Sequence, residues 1–364
     1  MKIHALRSWQ ETIPFTQPFA VAYASRNEAT LHFLEIRTDR GLLGRGSASP
    51  SVHVTGETTD ACAAALDESE LGWLLGEDVR HVHSLIRRLL PVRCTQTGRT
   101  LLSATPAACA AVDMALHDLL TQVLDVPLVD FLGRCHTALP TSITIGLKPI
   151  PEVLSEAQGC LAKGYRALKV KLGYDVEEDI EKLHKLREIL PAETLIRVDP
   201  NQGYSAEQTR HFFEQTRGLA LELIEQPMPA DAIGEMRGMP LELRETLCAD
   251  ESLHSPEDAV RLLTPEPACG LFNIKLMKCG GIDGGLRIAR MAEVAQIPLM
   301  WGCMVESRVS LAAALHAAYA SPNTRFLDLD GDTDLVRDPA AGGFVLENGN
   351  LRLLDRPGLG VGWS

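Results

Sequence analysis

Several features are missing from this 364-residue chain, and each absence removes a class of function. There is no excess of positive charge. The net charge is −13, which gives no electrostatic reason to bind nucleic acid or an anionic membrane. No apolar run approaches the roughly 20 residues that span a bilayer. The opening stretch MKIHALRSWQETIPF lacks the continuous apolar segment of a signal peptide, so a cytoplasmic location is expected. Cysteines stand at 62, 94, 109, 135, 160, 248, 269, 279 and 303, and no two form a C-x-x-C pair. That pattern argues against a zinc ribbon and against a disulfide framework, and fits thiols in a reducing cytoplasm. There is no G-x-G-x-x-G and no Walker sequence, so a nucleotide-binding open sheet has no phosphate loop to offer. What is present is the composition of an ordinary globular protein, 45% hydrophobic and 23% charged, in a chain long enough for two domains.

The first ~130 residues read as strands followed by helices, an α+β arrangement. Apolar and β-branched runs predict strands over 3–15, 30–39 and 44–50, with a turn at Thr38–Gly41. Two segments between them, 15–29 and 49–58, read as flaps. Helices are expected over 58–75, 78–90 and 101–124, the last rich in Ala and Leu and ended by Asp125-Val126-Pro127. From about residue 140 strands and helices alternate. Strands near 141–147, 167–172, 195–199, 221–225, 246–250, 271–275, 297–302 and 326–330 are separated by helices near 151–163, 175–189, 205–215, 230–237, 256–263, 282–295 and 307–320. Strands buried on both faces and alternating with helices indicate a parallel α/β barrel. The expectation is therefore a capping domain at 1–130, a (β/α)7β barrel at 140–330, and a C-terminal segment at 331–364. That last segment carries a hairpin at Asn348-Gly349 and returns to the cap.

Five of the barrel strands end in charged residues: Lys171, Asp199, Glu225, Asp250 and Lys275. Strand ends of a parallel barrel share one rim, so all five would face one cavity. Neighbouring strands are about 4.8 Å apart, so the three carboxylates can converge. Three like charges so close need a cation, and an all-oxygen set suits Mg²⁺, with Mn²⁺ as a substitute. The alternative for any single carboxylate is that it caps the helix after it. Lys171 and Lys275 flank the triad on either side. Lys169 shares a face with Lys171, two residues away on the same strand.

The set Lys169-Val170-Lys171, Asp199 with Asn201-Gln202, Glu225-Gln226-Pro227, Asp250-Glu251-Ser252 and Asn273-Ile274-Lys275 resembles the enolase superfamily, in its muconate-lactonizing-enzyme subgroup. The resemblance covers essentially the whole chain. It implies a modified TIM barrel under an N-terminal capping domain, and an isomerase that uses a Lys base with Mg²⁺. By the same resemblance Asp199, Glu225 and Asp250 would bind one Mg²⁺ per subunit. Lys171 and Lys275 would be acid and base on opposite faces of the substrate, and Lys169 would touch its carboxylate. Two bases on opposite faces are what a 1,1-proton transfer, an epimerisation, requires. Glu251 would orient Lys275 or cap a helix, with Asn201 beside it behind the ligands.

The eighth strand ends Asp328-Leu329-Asp330. An Asp-x-Asp there is similar to the dipeptide epimerases, where the pair holds the α-ammonium of the substrate's first residue, a charge-assisted match. The resemblance also implies substrate contacts from Thr144 and from Cys303, Met304 and Val305. Epimerases of Ala-Glu in this group carry an Arg in the first flap. Here that place holds Ala24, with Arg26 two residues on as the nearest candidate for the substrate side chain. Asp332 and Asp334, just beyond the eighth strand, favour a cationic side chain instead. The implied partner is a small dipeptide, in a homo-oligomer that binds neither nucleic acid nor membrane. o-Succinylbenzoate synthase and N-acyl amino acid racemase activity on the same scaffold are the alternatives. A catalytically silent barrel serving as a binding protein is a third.

Overall fold

The computed structural model describes residues 1–21, 24–89 and 104–364. Strands β1 (Ile3–Val21), β2 (Ala24–Thr38) and β3 (Leu43–Ala48) form an antiparallel meander. The turn between β2 and β3 falls where expected, with Gly41 N donating to Thr38 O at 3.0 Å. The first flap differs from a loop. Its backbone resumes the ladder at Phe19–Arg26 and carries it to Val21–Ala24, after a break in register past Pro14–Glu28. Residues 22 and 23 lie outside the described residues.

Helices follow the strands. They are α1 (Thr59–Ala65), α2 (Val82–Leu89), α3 (Pro106–Val123) and α4 (Leu128–Leu132). The helix expected over 58–75 stops at Ala65 and gives way to turns, where Asp67 accepts from Ser69 N at 2.9 Å, a local bond that competes with helix. Of the helix expected over 101–124, residues 101–103 lie outside the described residues, and Pro106 opens the rest at its first turn. This helix lies directly on β3. A Cβ at Gly46 would stand 1.9 Å from Ala111 O, and one at Gly44 2.2 Å from Ala115 O. Only glycine permits that approach.

After the short β4 (Leu139–Pro140) comes the barrel. Its strands are β5 (Ser142–Ile145), β6 (Ala167–Lys171), β7 (Leu195–Asp199), β8 (Leu221–Glu225), β9 (Leu247–Ala249), β10 (Leu271–Ile274), β11 (Leu299–Gly302) and β12 (Thr324–Asp328). They pair in parallel in sequence order. A parallel bridge between Thr141 and Leu327 joins the two ends, so the sheet closes nearly to a barrel. The seven connections carry α5 (Ile150–Ala162), α6 (Val176–Ile189), α7 (Ala206–Thr216), α8 (Ile233–Arg237) with α9 (Leu241–Thr246), α10 (Pro256–Leu263), α11 (Leu276–Cys279) with α12 (Ile282–Val294), and α13 (Arg308–Tyr319). Their starts are written locally. Asp175, Ser205, Ser255 and Ser307 each accept a backbone N–H as N-cap. The short α9 and α11 are additions to the expected order.

The tail forms β13 (Ala340–Gly342), the hairpin β14 (Phe344–Glu347) and β15 (Asn350–Leu353), and β16 (Val361–Trp363). It packs on the N-terminal strands. The Trp363 ring meets Trp9 edge-on at 5.0 Å, and its Nε1 donates to Glu35 Oε2 at 3.0 Å. Among the described residues no helix is long and apolar enough to cross a membrane.

Candidate active site

The parallel register brings the charged strand ends onto one rim. Lys171 pairs with Asp199 across β6 and β7, and Glu225 with Cys248 across β8 and β9. All of them are buried: Asp199 and Glu225 are 0% exposed, Lys169 2% and Lys275 5%. They are held by one another. Lys171 Nζ donates to Asp199 Oδ2 at 2.5 Å, and Lys275 Nζ to Asp250 Oδ2 at 2.6 Å. Lys169 Nζ lies 2.7 Å from Glu225 Oε2, 3.3 Å from Asp199 Oδ2 and 2.7 Å from Asp328 Oδ2.

A fourth ammonium was not anticipated from the sequence. Lys278, 3% exposed, contacts Asp250 Oδ1 and donates to the carbonyls of Asp250 at 2.6 Å and Asn273 at 3.2 Å. Its place, three residues after Lys275 on the α11 turn, was the available signal. Also unanticipated is the part played by Gln226, a member of the motif. Its Oε1 accepts from Asp250 N at 2.9 Å and from Ser252 N and Oγ at 3.2 and 2.8 Å, and its own N donates to Cys248 O at 2.8 Å. It staples the end of β8 to the end of β9. Asn201, Gln202 and Gln226 have φ of 45°, 67° and 30°. Non-glycine residues in the left-handed region tend to gather at functional sites.

The electrostatics follow from burial and pairing. Burial, helped by Asp199, pushes the Glu225 carboxyl up to about 8. Burial also acts upward on Asp199 and Asp250, but the ammonium groups beside them outweigh it and hold both below the usual range. Burial would lower the lysines, yet Asp328 and Glu225 drive Lys169 well above its ordinary value, and Asp250 does the same for Lys275.

The ring of residues around this core lines one cavity. Lys171 and Lys275 stand on its walls, with Asn201 and Glu251 between them. Glu251 does not pair with Lys275 as expected. Its Oε1 accepts from Asn201 Nδ2 at 3.3 Å, because its backbone lies past Asp250 and points the side chain toward β7. Thr144, Asp328 and Asp330 form another wall. Ser142 Oγ donates to Asp328 Oδ1 at 2.6 Å and Thr144 N to Asp330 Oδ2 at 2.7 Å. Cys303, Met304 and Val305 close the cavity from β11, and Ser49 of the second flap donates to Val305 O at 2.8 Å. Arg26, exposed on the first flap, reaches the same cavity. Asp334 lines it too. Asp332 does not, because Arg308 holds it at 2.7 Å.

As the carboxylates stand, ammonium groups separate them. Among the described residues no three His, Cys, Asp or Glu side chains are placed to hold a metal ion together. Their chemistry nonetheless fits a hard cation. Glu251 Oε2 and Asn201 Oδ1 are buried oxygens without a hydrogen-bond donor, and Lys169 sits as a cation between Glu225 and Asp199.

The comparisons with known proteins agree with this geometry. Residues 5–133 match the family described as mandelate racemase / muconate lactonizing enzyme, N-terminal domain, and residues 152–364 match the enolase C-terminal domain-like family. The L-Lys-D/L-Arg epimerase of Methylococcus capsulatus (strain ATCC 33009 / NCIMB 11132 / Bath) is 52% identical over 361 residues, covering 99% of each chain. The protein of the same name from Desulforapulum autotrophicum is 48% identical, again over 99% of each. A crystal structure of the dipeptide epimerase from Methylococcus capsulatus, complexed with Mg and the dipeptide L-Arg-D-Lys, superposes with a TM-score of 0.95 over 99% of each chain at 52% identity. The chain belongs to the enolase superfamily, in the mandelate racemase and muconate lactonizing enzyme branch that contains the dipeptide epimerases.

Proposed function

We propose that this chain is a Mg²⁺-dependent epimerase of dipeptides, acting at the α-carbon of the second residue and favouring cationic side chains. One observation carries the reaction type. Two buried ammonium groups, Lys171 on β6 and Lys275 beyond β10, line a single cavity from opposite sides of a carboxylate cluster. One lysine takes the α-hydrogen and the other delivers a proton to the opposite face, which inverts the carbon. Asp199, Glu225 and Asp250 are the residues to hold Mg²⁺. Bound there, it supplies positive charge against the substrate carboxylate and so lowers the barrier to removing the neighbouring hydrogen. Lys169 adds its charge to the same carboxylate and helps stabilise the enediolate. Asn201 and Glu251 stand behind the carboxylates and complete the polar floor.

The wall made by Thr144, Asp328 and Asp330 is the place for the α-ammonium of the first residue. Among the described residues no cation contacts Asp330, so a charge-assisted bond remains open to it. An N-acyl amino acid or a succinylbenzoate precursor has no ammonium to offer there. Cys303, Met304 and Val305 pack against the bound peptide, and Arg26 meets its outer side. The preference for cationic side chains draws support from the names of the relatives at 52% and 48% identity and from the unpaired acids of this wall. Cys62, Cys135, Cys160, Cys248, Cys269, Cys279 and Cys303 are free thiols, which suits a reducing, cytoplasmic setting. Incubating a dipeptide library with the protein and Mg²⁺ in D₂O tests the reading by mass gain at the α-carbon. If no dipeptide gains deuterium, the assignment is wrong.

A further inference from the structure

We infer that Asp334 selects a cationic side chain on the first residue of the dipeptide, and not on the second residue that is epimerised. This rests on the dipeptide epimerase reading and adds to it the position at which charge is recognised.

Between residues 328 and 334 there are four carboxylates. Asp328 is held by Lys169 at 2.7 Å and by Ser142, and Asp332 by Arg308 at 2.7 Å. Among the described residues Asp330 accepts from Thr144, through its backbone N at 2.7 Å and its side chain, and, weakly, from the Cys303 thiol, and meets no cation. Asp334 makes no ion pair with any described residue. Glu156 opposes it, and the nearby Lys148 is held by Glu156 at 2.6 Å. Two carboxylates of the cavity wall therefore lack a cation, while a dipeptide with neutral side chains brings one ammonium. A second positive charge on the same residue completes the match.

Geometry says which residue carries it. The α-ammonium belongs beside Asp328 and Asp330, at the end of β12. The epimerised carbon must lie between Lys171 and Lys275, across the cavity on β6 and β10. So the first residue's side chain starts next to Asp330. Asp334 is a single turn away, for Thr333 N donates to Asp330 O at 2.9 Å and Leu335 N to Asp332 O at 3.3 Å. The two carboxylates are close enough that Asp334 adds to the burial that pushes Asp330 up to about 7. The extended Lys or Arg side chain, about 6 Å or more from Cα to its charge, covers one turn of chain. The segment is also fixed from outside. Thr16 N donates to Asp334 O at 2.8 Å and Val336 N to Pro14 O at 3.1 Å, which ties the turn to β1. A carboxylate on an immobile turn is set in advance for its partner. The Asp334 carboxyl, pushed up to about 6 by burial and by Glu156, is ionised at neutral pH.

The experiment compares Lys-Ala, Ala-Lys and Ala-Ala by deuterium exchange with the Mg²⁺-loaded enzyme and its Asp334→Asn variant. The asparagine has the same shape, and the carboxylate it replaces holds no other part of the fold. In the variant, the preference for Lys-Ala over Ala-Ala, as a ratio of kcat/KM, falls about tenfold to a hundredfold, the range for a charge-assisted hydrogen bond. The fall appears in KM, since the contact is remote from the reacting carbon. The preference for Ala-Lys over Ala-Ala moves by less than about twofold on the same scale. Asp334→Lys reverses the first preference and favours Glu-Ala. An unchanged Lys-Ala preference in Asp334→Asn, or equal falls for Lys-Ala and Ala-Lys, overturns the inference. A wild-type protein that exchanges none of the three removes the epimerase reading itself.

Discussion

Binding of Mg²⁺ to the metal-free protein should expel protons, and the pH at which it does so follows from Glu225. Its carboxyl is 0% exposed and is pushed up to about 8 by burial and by Asp199. A metal ligand must be deprotonated, so the proton on Glu225 competes with the ion. The sign is set by the direction of the shift. Below pH 8 the metal-free site holds the proton, above it the site is ready for the cation, and affinity rises with pH until it levels past 8. With a single group at that value, about 0.9 proton is released per ion at pH 7 and about 0.1 at pH 9. Apparent affinity climbs roughly fiftyfold between pH 6 and pH 8, about 2 kcal/mol. Lys275 can only add to the count, since Asp250, which favours its charged form, is one of the proposed ligands. Titration calorimetry in two buffers of different ionisation enthalpy measures the released protons directly. Glu225→Gln should bind Mg²⁺ more weakly and lose most of the pH slope. Identical enthalpies in the two buffers at pH 7, or an affinity flat from pH 6 to 8, would refute the reasoning.

Other outcomes follow from the same contacts. Lys171→Ala and Lys275→Ala should each abolish epimerisation, losing at least the ~10²–10⁴-fold of a general acid or base, while one epimer still exchanges its α-hydrogen with D₂O. Normal epimerisation by both variants rules out two opposed bases. Gly46→Ala places a Cβ 1.9 Å from Ala111 O, so α3 must shift and stability should fall by about 3 kcal/mol in urea denaturation. A variant as stable as the parent means the strand and helix are not in contact. Trp363→Ala removes the rings' edge-on contacts with Trp9 and Phe33 and the bond to Glu35, and should cost about 2 kcal/mol on the same measurement.

The barrel was legible because its period is long and its strands are short. A charged residue recurring every 25 to 28 positions at the end of an apolar run states strand, turn, helix and turn together, as Lys171, Asp199, Glu225, Asp250 and Lys275 do. The cap was less so. The segment 58–75 is rich in Ala and Leu, yet Asp67 and Ser69 bond locally and stop the helix early. The first flap reads as a loop from its Pro18, Ser25 and Asn27, but its backbone can stay extended when a second strand lies beside it. That partner is set by the meander and by no local signal.

The site shows a similar division. Which residues meet was readable from the register, since strand ends on one rim must converge. How they meet depends on contacts across strands that have no linear period: Gln226 to Asp250, Lys278 to Asp250, Asn201 to Glu251. These matter because the cluster of side chains is nearly balanced in charge. Lys169, Lys171, Lys275 and Lys278 face Asp199, Glu225, Asp250 and Asp328. The proposed acids and bases of the reaction are thus also counter-ions of these carboxylates. If Mg²⁺ takes Asp199, Glu225 and Asp250, Lys275 loses the Asp250 partner that favours its charged form, and Lys169 keeps Asp328 alone. A site built this way couples loading of the metal to release of its bases, and proton release on binding is the direct measure of that coupling.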